Sequence, residues 1–198
     1  VIKAAAAKAN VDAQKLSAEK AAAITQAVEK ILAAQDFASF PLSVWQTGSG
    51  TQTNMNVNEV IAHLAKQEQV ELHPNDEVNL SQSSNDVFPT AIHVAAYRGV
   101  VERLFPALDQ LIASLAEKAA AYQTVIKVGR THLQDATPVT FGQEISGWQA
   151  GLEHTKHMLE LALTEIAQLP IGGTAVGTGL NAPENFAPLL IEHLNQWT

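Results

Sequence analysis

The chain has 198 residues, 46% of them hydrophobic and 16% charged, with no cysteine and a formal net charge of −8. This composition supplies a packed core rather than a disordered chain; it excludes disulfides, thiolate metal sites and cysteine nucleophiles, and offers no Lys/Arg cluster to meet nucleic-acid phosphates. No apolar run approaches the roughly 18 residues that cross a membrane, and the Ala-rich start carries Lys and Glu throughout with no cleavage site, unlike a signal peptide.

Residues 1–9 and 17–34 are helical in composition, with Ser17 placed as the N-cap of the second segment. "FPLSVWQ", residues 40–46, alternates weakly and predicts a short strand. The loop "TGSGTQTNMN", residues 47–56, then feeds a helix from about Met55 to Gln67. "HPNDEVNLSQSSND" reads as a polar segment with a Pro-Asn-Asp turn, followed by a long helical run over about 87–121. Pro89 suits the first turn of that run, and Pro106 predicts a kink within it. Apolar residues at 94, 97, 101, 104, 108, 111 and 115 keep alternate steps of three and four. "KVGRTHLQDATP" is a second polar loop, closed by Pro138 at the start of a helix over about 139–168. There Phe141, Ile145, Trp148, Leu152, Thr155, Leu159, Ala162 and Ile166 repeat the same spacing, which implies a helix bundle. "LPIGGTAVGTGLN" reads as a tight β-like turn. The chain does not begin with methionine, and "APLLIEHLNQW" still reads as helix at its end, so a longer protein is expected.

Three polar, donor-rich stretches, at 47–56, 83–86 and 129–137, each precede a helix start, and the first carries no charge at all. Free N–H groups and the macrodipole favour an anion at such a place, and an acidic chain needs local donors of this kind to hold one. The same residues are also ordinary helix caps, and composition leaves the choice open. His132, beside Arg130 and Asp135, has the residue type of a general base near neutral pH. His63, His93, His154, His157 and His193 fall within helical runs and read as structural or solvated. His154 and His157 share a helix face at i, i+3, but with no carboxylate cluster beside them no metal site is expected.

Taken together, "FPLSVWQTGSGTQTNMNVNEV", "HPNDEVNLSQSSNDVFPTAIH", "VGRTHLQDATPVTFGQE" and "LPIGGTAVGTGLN" resemble the class II fumarase branch of the fumarase/aspartase superfamily, in the family's order and over essentially the whole chain. Aspartate ammonia-lyase shares "HPND" and "AVGTGLN", but Thr-His at 131–132, Ser-Ser-Asn at 83–85 and the Gly-Ser-Gly-Thr-Gln loop favour fumarase. The resemblance implies a mainly α fold: a partial long-helix bundle with a few short strands in its N-terminal part. Residues 1–86 would be the remainder of an N-terminal lyase domain, and 87–198 the first part of a central helical-bundle domain. It implies reversible hydration of fumarate to (S)-malate by a homotetramer, without a cofactor, membrane or nucleic-acid partner. Ser49, Thr51, Asn54, Ser83, Ser84, Asn85 and Thr131 would bind the dicarboxylate, and His132 would manage the hydroxyl or water proton. His73, Asn75 and Asp76 would form a second, non-catalytic dicarboxylate site. The family's mobile Gly-Ser-Ser-x-Met-Pro-x-Lys-x-Asn loop, with the serine thought to take the carbon-bound proton, is not in these residues, so they are expected to be inactive alone. The expected compartment is the cytoplasm, with the mitochondrion as alternative. A non-catalytic helical scaffold on the same fold is the reading from another class.

Overall fold

The computed structural model describes every residue except Asp36. The helices are α1 (Ile2–Asp12), α2 (Ala18–Ala34), α3 (Thr51–Gln67), α4 (Ser84–Gly99), α5 (Phe105–Ala121), α6 (Phe141–Ile166) and α7 (Phe186–Leu194), with strands β1 (Ile126–Thr131) and β2 (Gln134–Thr140) between α5 and α6. They pack as two compact units: Val1–Val94 with Leu169–Thr198, and Ala95–Gln168. A division after Asp86 follows the order of the chain, whereas the first unit gathers α7 back onto α1.

In the first unit α1 packs against both α2 and α7. Its alanines at 4–7 and 9 are buried all round, as expected of a helix without a polar face. Ile24, Ala27 and Val28 of α2 meet Ile61, Ala62 and Ala65 of α3 in one core, and Phe186, Leu190 and Leu194 of α7 join Ile2, Ala5 and Val87 in another. The polar exceptions in α1 are satisfied. Asn10 donates to the carbonyls of Ala6 (2.9 Å) and Leu80 (3.0 Å) and accepts from Ser81 (2.7 Å), which anchors the chain just before α4. Ser17 caps α2 as expected, accepting from the N–H of Lys20.

The second unit is built on α5 against α6, with the β1–β2 hairpin beside them. On α6 the seam positions Ile145, Leu152, Leu159 and Ile166 are shielded, while Phe141, Trp148, Thr155 and Ala162 are exposed. The apolar stripe is therefore wider than one partner helix covers. Thr140 opens α6 with a full capping box, exchanging hydrogen bonds with Gln143.

Several sequence expectations are corrected. Residues 40–46 form no strand, and Val44 and Trp45 are 86% and 92% exposed, with nothing to complete a ladder. The strands are instead "IKVGRT" and "QDATPVT", which take up and overrun the second polar loop, and Pro138 sits in β2, opposite Val128, rather than opening a helix. α3 starts four residues early, so the tail of the polar loop is already helix. Because α4 starts at Ser84, Pro89 falls in its second turn rather than its first. At Pro106 the run is not simply kinked. A wider turn over Val100–Leu104, in which the N–H of Phe105 reaches the carbonyl of Val100, precedes it, and the proline then occupies the first turn of α5. The Gly-rich segment after α6 consists of turns and bends without strand.

Candidate active site

The starts of α3 and α4 adjoin in the first unit. Gly50 caps α3 with φ +69°, and a Cβ there would stand 2.1 Å from the ring of Phe88 in α4, so only glycine permits this approach. Ser49 and Thr51 share a hydroxyl–hydroxyl bond of 3.2 Å, and Ser49 bonds Thr47 at 3.1 Å. One turn further on, buried Asn54 donates 3.0 Å to Ser84 Oγ, joining the two helix starts directly. Ser83 precedes the first residue of α4; its hydroxyl accepts from the N–H of Asn85 (3.2 Å), and its own N–H donates to Asp86 (2.9 Å). Ser49, Thr51 and Asn85 are exposed and Ser83 and Ser84 half-buried, so uncharged donors reach solvent from a fixed base.

Asp86 supplies much of that base. It is 2% exposed, and its second oxygen accepts from the N–H groups of Gly172 (3.0 Å) and Thr174 (2.9 Å). One carboxylate thus binds the glycine-rich segment to the start of α4. The Asn85 amide adds a bond of 2.8 Å to the carbonyl of Ala175. As part of the donor set, Asn85 has its NH2 group turned towards that segment.

Thr131 and His132 belong to the second unit, where both are exposed. Thr131 pairs with Gln134, and His132 and Leu133 form a two-residue hairpin turn with φ of +51° and +61°. Two left-handed residues in succession match the twist of a hairpin, and for leucine such a φ is costly. The turn holds the imidazole out at the tip, with Arg130 and Asp135 paired behind it at 3.4 Å.

His73, Asn75 and Asp76 come together in a single wide turn over Pro74–Val78. His73 Nδ1 accepts from the N–H of Asp76 (3.2 Å), and Asn75 donates to the Asp76 carboxylate (3.4 Å). All three are exposed. Glu77 closes the turn, accepting from the N–H of His73 and from Lys20 (2.7 Å), and the lysine holds its carboxyl below the usual range.

A polar layer beneath the site was not read from the sequence. Lys3, Asn54 and Asn58 all donate to Asn79 Oδ1, the Asn54 amide from 3.1 Å, and Lys3 also donates to Gln82. The available signals were a lysine inside an alanine run and asparagines at i, i+4 on α3.

A family model described as a lyase matches residues 1–198. The chain belongs to this lyase family. It is 55% identical over 199 residues to the class II fumarate hydratase of Listeria monocytogenes serotype 4b and 53% identical over 205 residues to that of Myxococcus xanthus. Each alignment takes in the whole chain and 44% of the relative, so the chain spans less than half the length of these relatives. The crystal structure of the class II fumarase from Schistosoma mansoni superposes on 99% of the chain, and on 42% of its own length, with a TM-score of 0.94 and 42% identity. The mainly α fold of the fumarase/aspartase superfamily is thereby established, with no strand in the N-terminal part among the described residues.

Proposed function

We propose that the full-length protein containing this chain is a cytoplasmic class II fumarate hydratase that works as a homotetramer and reversibly adds water to fumarate to give (S)-malate. The observation that carries this reading is the junction of two helix starts through Asn54 and Ser84, which concentrates neutral donors at one place. Such donors suit a dicarboxylate whose charge increases during reaction. In hydration, water oxygen bonds to one alkene carbon while His132 accepts a water proton. The alkene electron pair moves onto the carboxylate of the other carbon, which afterwards takes up a proton. Donors held in place before the substrate arrives would stabilise the added charge without reorganising. Ser49, Thr51, Asn54, Ser83, Ser84, Asn85 and Thr131 are assigned to binding, and His73, Asn75 and Asp76 to a second dicarboxylate site outside the chemistry.

The test is an absorbance assay of the full-length protein with fumarate and, separately, with aspartate. Hydration of fumarate supports the proposal. Turnover of aspartate alone transfers it to aspartate ammonia-lyase, and turnover of neither supports a scaffold.

A further inference from the structure

We propose that Lys3 is a positioning residue for Ser84, acting through Asn79 and Asn54 to aim the serine proton at the substrate; this rests on Ser84 being a substrate-binding residue. Lys3 is only 5% exposed, although it lies in an alanine-rich helix. Its Nζ donates to Asn79 Oδ1 (2.9 Å) and Gln82 Oε1 (3.0 Å). Those two bonds need two N–H groups, which an amine has whether or not it is charged. They decide which end of each amide faces the lysine. The Gln82 NH2 group consequently turns to the carbonyls of Val78 (3.2 Å) and Leu80 (3.0 Å), and the Asn79 NH2 group to the carbonyl of Gln82 (3.3 Å).

Asn79 Oδ1 then faces α3 as an acceptor. Asn54 and Asn58 must present their NH2 groups to it, at 3.1 Å and 3.2 Å. The same Asn54 NH2 group reaches Ser84 Oγ at 3.0 Å, so that hydroxyl accepts from the protein and its own proton is left for another partner. The arrangement has a visible cost: Asn54 Oδ1 and Asn58 Oδ1 are buried without a partner among the described residues. Flipping Asn54 would pair that oxygen with Ser84 and spend the serine proton inside the protein. Lys3 and Asn54 also line a common cavity of about 170 Å³, with Thr53 and Phe88. Lys3 sets the direction of the whole chain of bonds.

The experiment measures succinate binding to the full-length protein in Lys3→Met, Ser84→Ala and the double variant, with circular dichroism to verify folding. Lys3→Met is expected to weaken binding about tenfold, the scale of one hydrogen bond to a charged acceptor. In the Ser84→Ala background the same change should cost less than about twofold, a coupling that a loss of general stability would not produce. Asn79→Ala removes the shared acceptor while keeping the lysine. It should give the same serine-dependent loss and stands in should Lys3→Met fail to fold. Unchanged affinity in a folded variant, or an equal loss with and without Ser84, overturns the inference alone. If Ser84→Ala itself leaves affinity unchanged, the binding-site reading falls and takes the inference with it.

Discussion

Replacing Lys3 by methionine should change how stability depends on pH. Burial lowers the Lys3 pKa from 10.5 to about 7, against the opposing attraction of Asp86. A cation with a depressed folded pKa costs stability while it is protonated, and that cost is complete below pH 7. As pH rises from 7 towards 10.5 the folded protein sheds a proton that the unfolded chain keeps, so stability increases. One pKa unit corresponds to about 1.4 kcal/mol, and pH 9 lies about two units above the folded value. The parent should therefore gain on the order of 2–3 kcal/mol between pH 6 and pH 9 that Lys3→Met does not. Methionine has a similar volume, and the bonds it forfeits to Asn79 and Gln82 shift the variant's stability equally at both pH values. The assay is urea unfolding of both proteins at pH 6 and 9, taking the difference between them at each pH. Parallel pH dependences would refute the buried-lysine argument.

Three further substitutions probe the site. In the full-length protein His132→Asn should lower turnover by about 100-fold or more with the fold intact, the scale of a lost general acid–base group; rates within about threefold of the parent, read in the fumarate assay, would remove the role assigned to it. Gly50→Ala combines a left-handed φ with a Cβ driven into Phe88, and should cost on the order of 1–3 kcal/mol in urea unfolding; a neutral result would mean that the starts of α3 and α4 are not held in contact. Asp86→Ala strips the acceptor from the N–H groups of Ser83, Gly172 and Thr174, and should destabilise by roughly 3 kcal/mol or more. Hydrogen exchange should then quicken at Gly172 and Thr174, and unchanged protection there would count against the clamp.

What was legible in the sequence was local or periodic. Ser17 as a cap and the spacing along α6 depend on neighbours within a few residues. The cap forms as expected, whereas only four of the eight seam positions, Ile145, Leu152, Leu159 and Ile166, are shielded, and Phe141, Trp148, Thr155 and Ala162 are exposed. Strands are not legible in this way because a ladder needs a partner. Residues 40–46 have the alternation but no neighbour, whereas β1 and β2 pair across His-Leu, a turn without the usual Asn-Gly or Asp-Gly signature. The donor-rich stretches were visible as composition, and two of them do meet at adjoining helix starts. Their supporting layer was hidden, since Lys3 meets Asn79 and Gln82 across 76 and 79 positions. No pattern along the chain encodes such a convergence. Asp86 likewise looks like any acidic residue in a first turn until its bonds to Gly172 and Thr174, 86 and 88 positions away, are placed.

The most direct test of the account is a crystal structure of the full-length protein with malate bound. The account predicts malate carboxylate oxygens accepting hydrogen bonds from Thr51, Asn85 and Thr131, with the malate hydroxyl against the His132 imidazole. Malate carboxylates held elsewhere by lysine or arginine, beyond hydrogen-bond reach of those three residues, would contradict it.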